Sequence, residues 1–336
     1  MTQKFDLIGD IHGYHEPLIA LLEKLGYSFS NGYYNHSNKK VIFLGDFIDR
    51  GPGQKKVIEI VRAMVEKGSA LAVMGNHEFN ALCFHTEDPD MPGTYLRTRS
   101  DKNINQHQAF LDAYQDNPEE MKEALDWFRT LPMWLDLKDL KVIHACWDEK
   151  AIKHISSNYS DEGLISQDLL IDSCKKDTES YRCLETILKG KEIPLPDGHE
   201  GIPDKAGIIR YRIRTRWWDN TATTYEDAYL GPEKVVDINK KPVAVSLYIP
   251  DDNIEGNQLI SYSEDAAPVF LGHYWLEGKP KKLANNIACL DYSVAQERVA
   301  ERKGISADQH PKLVAYCWNG EQKINDEQFI WVERKK

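Results

Sequence analysis

Apolar residues in this chain gather into short runs, and several of these runs stop abruptly at a polar cluster. Phe5-Asp6-Leu7-Ile8 reads as a strand that ends at Gly9-Asp10-Ile11-His12-Gly13. Leu18, Leu21, Leu22 and Leu25 then recur at helical spacing, and Gly26 closes that helix. Asn31 to Lys40 is polar and turn-rich, so a surface hairpin or loop is expected there. Val41-Ile42-Phe43-Leu44, four apolar residues in a row, predicts a buried strand, after which Gly45 lets the backbone swing Asp46 outward. Pro52 precedes a helix striped by Ile58, Val61, Met64 and Val65, and the strand Ala70 to Met74 ends at Gly75-Asn76-His77-Glu78. Strand, site-bearing turn and helix thus alternate, as in successive βαβ units of a layered α/β fold.

From Phe84 to Asp126 the pattern turns charged and weakly periodic, with a helix expected near Glu119 to Arg129. Val142-Ile143 ends at His144, and Val269-Phe270-Leu271-Gly272 ends at His273. The interval between those histidines is too long for a simple connection. Its first part, Ile165 to Lys189, reads as helical, whereas Lys189 to Gly207 is rich in glycine and proline and reads as a loop. Asn286 to Leu290, ending at Asp291, and Leu313 to Cys317 and Phe329 to Val332 complete the expected strands. The organisation inferred is one domain over 1–336, with a motif core at about 4–293, inserted regions at about 84–130 and 150–240, and a closing segment 294–336.

Composition narrows the partners. With 42 basic and 53 acidic residues the net charge is −11, which argues against bulk binding of nucleic acid or membrane. Six cysteines are scattered with no C-x-x-C pair, and no run approaches the length of a bilayer span. The N-terminal strand leaves no room for a signal segment, so a reduced, cytoplasmic protein is expected.

The chemistry lies at the strand ends. Asp10 and His12, Asp46, Asn76 and His77, His144, and His273 all follow apolar runs directly, and ligands in layered α/β folds bind outside the carboxyl ends of strands. Carboxylate, imidazole and amide oxygen together suit Mn²⁺, Fe or Zn²⁺. Six such groups exceed what one open metal takes, so two divalent metal ions sharing Asp46 are inferred, Mn²⁺ first. Asp49 beside Asp46 requires a cation or histidine between the like charges, and the Arg50 guanidinium matches phosphate oxygens. A water held between two cations is acidified enough to attack without a protein base, but an alkoxide leaving group needs a proton, which His77 can supply if Asp49 holds it.

G-D-I-H-G, G-D-F-I-D-R-G and G-N-H-E followed by two separated histidines resemble the calcineurin-like metallophosphoesterases, in the phosphoprotein phosphatase branch that includes bacterial diadenosine tetraphosphatases. The resemblance covers roughly Lys4 to Ser293 and implies a four-layer α/β/β/α sandwich with helical insertions and a dinuclear site at one edge. It further implies that Asp10, His12 and Asp46 hold one metal and that Asp46, Asn76, His144 and His273 hold the other. His77 with Asp49 becomes the proton donor, and Arg50 the phosphate clamp. The chain departs from the family at Ala145-Cys146-Trp147, Tyr274-Trp275 and Tyr292, bulky positions that would reshape the pocket.

The family also implies a second phosphate-binding arginine between the last two histidines. Arg210 to Trp218, read as a strand, places Arg210, Arg212, Arg214 and Arg216 on one face and Tyr211, Ile213, Thr215 and Trp217 on the other. Arg214 and Arg216 are the candidates, Arg216 ahead because the Trp pair would anchor its end. A solvated, salt-bridged face explains the remaining arginines. Asp291 divides evenly between support for a ligand and strand-end chemistry, and His15, His36, His85, His107, His154, His199 and His310 read as surface residues. The expected activity is hydrolysis of a phosphorylated substrate, first a phosphomonoester on a phosphoprotein or small metabolite, with a dinucleoside polyphosphate as the alternative. Nucleic-acid end processing and a non-catalytic binding module rank lower.

Overall fold

The continuous apolar runs form strands covered on both sides. The computed structural model describes residues 3–204, 207–237, 240–256, 258–296 and 310–334. The chain divides into two compact units, Met1–Lys189 with Ala267–Lys336, and Gly190–Ala266.

In the first unit the Lys4–Ile8 strand pairs in parallel with Lys39–Phe43, which pairs in parallel with Ala70–Ala72. The helices His15–Lys24 and Gln54–Glu66 lie in the crossovers that parallel pairing demands. Lys312–Trp318 joins Lys4–Ile8 antiparallel and is itself flanked by Asp291–Tyr292 and Phe329–Glu333, making six strands. A second sheet runs Ile287–Cys289, Val269–Leu271, Lys141–Ile143, Trp134–Asp136, antiparallel only at the last pair. Alternation along each strand sorts the side chains by layer. Phe5, Leu7 and Ile42 share one core with Val142, Phe270 and Ala288 of the second sheet, while the alternate Ile8, Val41 and Phe43 are equally buried. Two facing sheets with helices packed outside give the mixed α/β architecture that the motifs imply. No helix among the described residues is long and apolar enough to cross a membrane.

The inserted helical region expected between Phe84 and Asp126 contains Asp101–Tyr114, a 14-residue helix whose bounds the weak periodicity does not give. Ser100 caps it by accepting from the Asn103 N–H, and its buried side chains are His107, Phe110 and Tyr114. Those positions follow helical spacing, but the stripe is visible only when His107 is counted as a core residue. The surface assignment of His107 is therefore wrong: it is 5% exposed. Ile165 to Lys189 resolves into two helices, Gln167–Asp172 and Glu179–Lys189.

The second unit begins at Gly190, so the helices up to Lys189 belong with the first unit although the insertion was expected from 150. Lys189 to Gly207 is not wholly loop, since Glu192–Pro194 pairs with Arg212–Arg214 and Ile202–Pro203 with Ile209–Arg210. Lys234–Val236 pairs with Pro242–Ala244, and Ile193, Ile202, Ile213, Tyr225 and Val235 form the core. The arginine-rich stretch is thus two short strands with different partners. Tyr211, expected on the face opposite the arginines with Ile213, Thr215 and Trp217, is 63% exposed at the break, whereas those three are buried. The expected closing segment 294–336 falls in part on 297–309, outside the described residues.

Candidate metal and phosphate site

The strand ends of both sheets in the first unit deliver their polar residues to one place. His12 Nδ1 lies 3.0 Å from the Ile48 carbonyl oxygen and His144 Nδ1 lies 2.7 Å from that of Leu44. A carbonyl only accepts, so each Nδ1 carries a proton and each Nε2 is the ring atom left facing the site. Both Nε2 atoms turn toward Asp46, with Oδ2 3.7 Å from His12 Nε2 and 3.4 Å from His144 Nε2. Asn76 Oδ1 is 3.2 Å from His144 Nε2 and 2.7 Å from His273 Nδ1, and the His273 N–H donates to Asp10 Oδ2 at 3.0 Å. All six expected ligands therefore meet. Asp46, His144 and His273 offer ligand atoms within 4.8 Å of one another, as do His12, Asp46 and His77. Asp46 is common to both groups.

These residues fit divalent cations. His12 Nε2 is buried with no hydrogen-bond partner, a costly state for a nitrogen lone pair unless a cation takes it. The mixture of imidazole, carboxylate and amide oxygen suits the same ions. Burial, then His77, pulls His12 down to about 4, so its ring is neutral and ready to ligate. Burial and then Asp291 push Asp10 well above the usual carboxylate range. Burial would lower His144, but the Asp46 carboxylate outweighs it and lifts the ring to about 10. His144 thus keeps its ring protons near neutral pH and the Asp10 carboxyl keeps its proton to higher pH than a free one, so a cation competes with protons at both. Affinity should fall as pH falls. Calorimetric titration with Mn²⁺ near neutral pH, in buffers of different ionisation enthalpy, is expected to show proton release, and its absence would mean that neither group ligates.

Backbone strain concentrates at the site. His12, Asp46, Asp49, Arg50 and His273 all have positive φ, from 48° to 73°. Non-glycine residues hold this conformation at a cost, so the surrounding contacts must enforce it. Gly45, with φ 91°, makes the turn into Asp46, and a Cβ there would come 2.5 Å from Gly75 N. Gly272 is needed for space: a Cβ would stand 2.0 Å from Asp10 Oδ1. Gly272→Ala is expected to displace Asp10 and weaken metal binding by about 10- to 100-fold, read as metal content after dialysis.

His77 and Asp49 form the expected pair, with Nδ1 2.5 Å from Asp49 Oδ2. Burial would lower His77, but the Asp46 carboxylate and the bond to Asp49 raise it. Three supporting residues escaped the sequence reading. Glu78 accepts from the N–H groups of Asp46, Phe47 and Gly75, which ties two strand ends together. Gln54 Oε1 accepts from the Asp49 N–H at 2.7 Å. His107 Nδ1 lies 2.8 Å from Asp49 Oδ1. For Glu78 the signal was its place in the Gly75-Asn76-His77-Glu78 turn, whereas nothing local marks the other two.

Arg50 is exposed, and its guanidinium stands 5.5 Å from the Trp275 ring centre, a cation–π approach. Trp275 is 36% exposed and also flanks His12, so it lines the mouth. Of the other bulky departures, Trp147 and Tyr292 are buried in the core. Asp291 accepts from the N–H groups of Trp275 and Ser293, which ties the turn after His273 to this strand end. In the second unit, Arg216 donates from Nε and Nη2 to the Asp227 carbonyl. Arg214 Nε is buried without a partner, and Arg214 lines a cavity of about 450 Å³ with Arg210, Arg212, Glu192 and Asp204.

An asymmetrical bis(5'-nucleosyl)-tetraphosphatase of Oceanobacillus iheyensis is 35% identical over 143 residues, 42% of this chain. One from Halalkalibacterium halodurans is 45% identical over 75 residues, 22% of this chain. The matched stretches span 55% and 30% of those relatives. A crystal structure of a cold-active protein tyrosine phosphatase superposes with a TM-score of 0.50 at 15% identity, covering 96% of this chain and 78% of that one, which speaks to the fold alone. The model of the calcineurin-like phosphoesterase family matches residues 3–242, and on that match this chain belongs to the family.

Proposed function

We propose that this protein hydrolyses phosphoric esters using two divalent metal ions, with Mn²⁺ the candidate and Fe or Zn²⁺ the alternatives. The observation that carries the reading is Asp46, whose carboxylate belongs to two groups of ligand atoms at once and stands 3.9 Å from the Nε2 of the His77–Asp49 pair. Asp10, His12 and Asp46 would hold one ion, and Asp46, Asn76, His144 and His273 the other. When bound, the ions supply Lewis acidity: they neutralise charge on the phosphoryl oxygens and lower the pKa of water.

The chain's own residues do the rest. Arg50, steadied against Trp275, would grip a phosphoryl oxygen with its planar fork. His77, when it carries a proton at both nitrogens, would pass the Nε2 proton to the departing oxygen while Asp49 stabilises the imidazolium through Nδ1. Of the two candidate arginines in the second unit, Arg214 has an unpartnered Nε and so keeps a donor for an anion, whereas the Arg216 guanidinium donates to the Asp227 carbonyl. The six cysteines are all free thiols, which suits the cytoplasm.

A positioned proton donor matters most when the leaving group is an alkoxide, and this supports a phosphomonoester on a phosphoprotein or small metabolite. The second reading is a dinucleoside polyphosphate, which the matched tetraphosphatases favour. Its leaving group is itself a phosphate and departs without a proton. A panel of phosphoserine peptide, glycerol phosphate and diadenosine tetraphosphate, assayed with Mn²⁺, is expected to favour the monoesters. A higher kcat/KM for the dinucleotide reverses the order, and no turnover of any compound with any divalent metal removes the proposal.

A further inference from the structure

We infer that His107 is a positioning residue for proton donation: it holds Asp49 so that Asp49 in turn aims His77. The inference rests on the role proposed above for His77. Asp49 is 3% exposed and is shared by two imidazoles, one on each oxygen, with His77 Nδ1 2.5 Å from Oδ2 and His107 Nδ1 2.8 Å from Oδ1. An ionised carboxylate only accepts, so both nitrogens donate and both tautomers are set. The terminal torsion of an aspartate is broad, and a carboxylate held at one oxygen can still swing its plane. The second donor comes from another element, the Asp101–Tyr114 helix, and fixes that plane. Burial would raise the Asp49 carboxyl, yet the bonds from His107 and then His77 hold it well below the usual range.

His107 is itself immobilised. Its ring stacks on Phe110 with centres 4.8 Å apart and planes 17° apart, and Phe84 lies 5.2 Å away. Its Nε2 is 3.3 Å from the Nε2 of His85, which sits on the same Asn76–His85 helix that carries Asn76 and His77. The line His85, His107, Asp49, His77 thus begins and ends on one helix and passes through the segment expected to be a mere insertion. A histidine serving only as core filling could satisfy Nδ1 on any backbone carbonyl. His107 instead spends it on the carboxylate that orients the proposed acid.

The test compares His107→Phe, His107→Asn and His107→Gln with the parent on glycerol phosphate, whose leaving group needs a proton, and on p-nitrophenyl phosphate, whose leaving group does not. The Asn side-chain nitrogen stands where Nδ1 stands, and the Gln nitrogen does not. His107→Phe is expected to lower kcat on glycerol phosphate about 10- to 100-fold, with KM and bound metal unchanged and the p-nitrophenyl ester much less affected. His107→Asn should restore most of the loss. Equal loss on both esters, or no loss, overturns the inference. Should the Phe variant fail to fold, Asn and Gln variants alike in their ester ratio overturn it equally. In ¹⁵N NMR the His77 Nδ1–H signal should stay sharp in the parent and His107→Asn and broaden in His107→Phe, and a sharp signal there also counts against it. An active parent with an insensitive His107 sinks this inference alone, whereas a parent inactive on both esters sinks the proposed reaction and this inference with it.

Discussion

Asp46→Asn is expected to leave hydrolysis of every phosphate ester at or near background, a fall of about three orders of magnitude or more. That size follows from losing several kcal/mol of charge stabilisation when the carboxylate common to both ligand groups becomes a neutral amide. The substitution preserves shape, and the acceptor Oδ1 that receives the His77 N–H at 2.9 Å can persist as the amide oxygen. The fold should survive while metal content drops. Elemental analysis after dialysis is expected to find fewer ions per chain than in the parent. Activity within tenfold of the parent with full metal content would show that Asp46 does not bridge.

His77→Asn carries the second-largest effect, and it should depend on the leaving group. On an alkyl phosphate kcat is expected to fall by about 10²- to 10⁴-fold, the range for loss of a positioned acid. On p-nitrophenyl phosphate the fall should be far smaller, because that oxygen leaves as a stable anion. Metal content should not change, since Asn76, His144 and His273 remain in place. A uniform fall on both esters accompanied by metal loss would instead make His77 a ligand, a role its place beside His12 and Asp46 also allows.

The site was legible because each ligand is the last word of an apolar run, so local pattern alone put Asp10, Asp46, Asn76, His144 and His273 at strand ends. What periodicity cannot express is which of two carboxylate oxygens meets which ring. His107 lies 58 residues from Asp49, and its helix offers a thin stripe in which the histidine itself is a member of the buried face. A residue that is polar by type and buried by context defeats a reading built on type. Arg210 to Trp218 failed in another way. Period-two alternation holds within a strand, but nothing in it announces that Tyr211 breaks the strand and hands its two halves to different partners. Glu78 lay in plain view, and its service as a clasp on two neighbouring turns emerged only when those turns had positions in space.

The bond from the His273 N–H to Asp10 spans 263 residues. During vectorial synthesis Asp10, His12, Asp46 and Asn76 are made before His273 and can assemble among themselves, because their strands are adjacent and parallel. Half a cradle therefore exists long before His273 emerges. The pair of ions proposed above could be held by the full set of donors only once His273 has been synthesised.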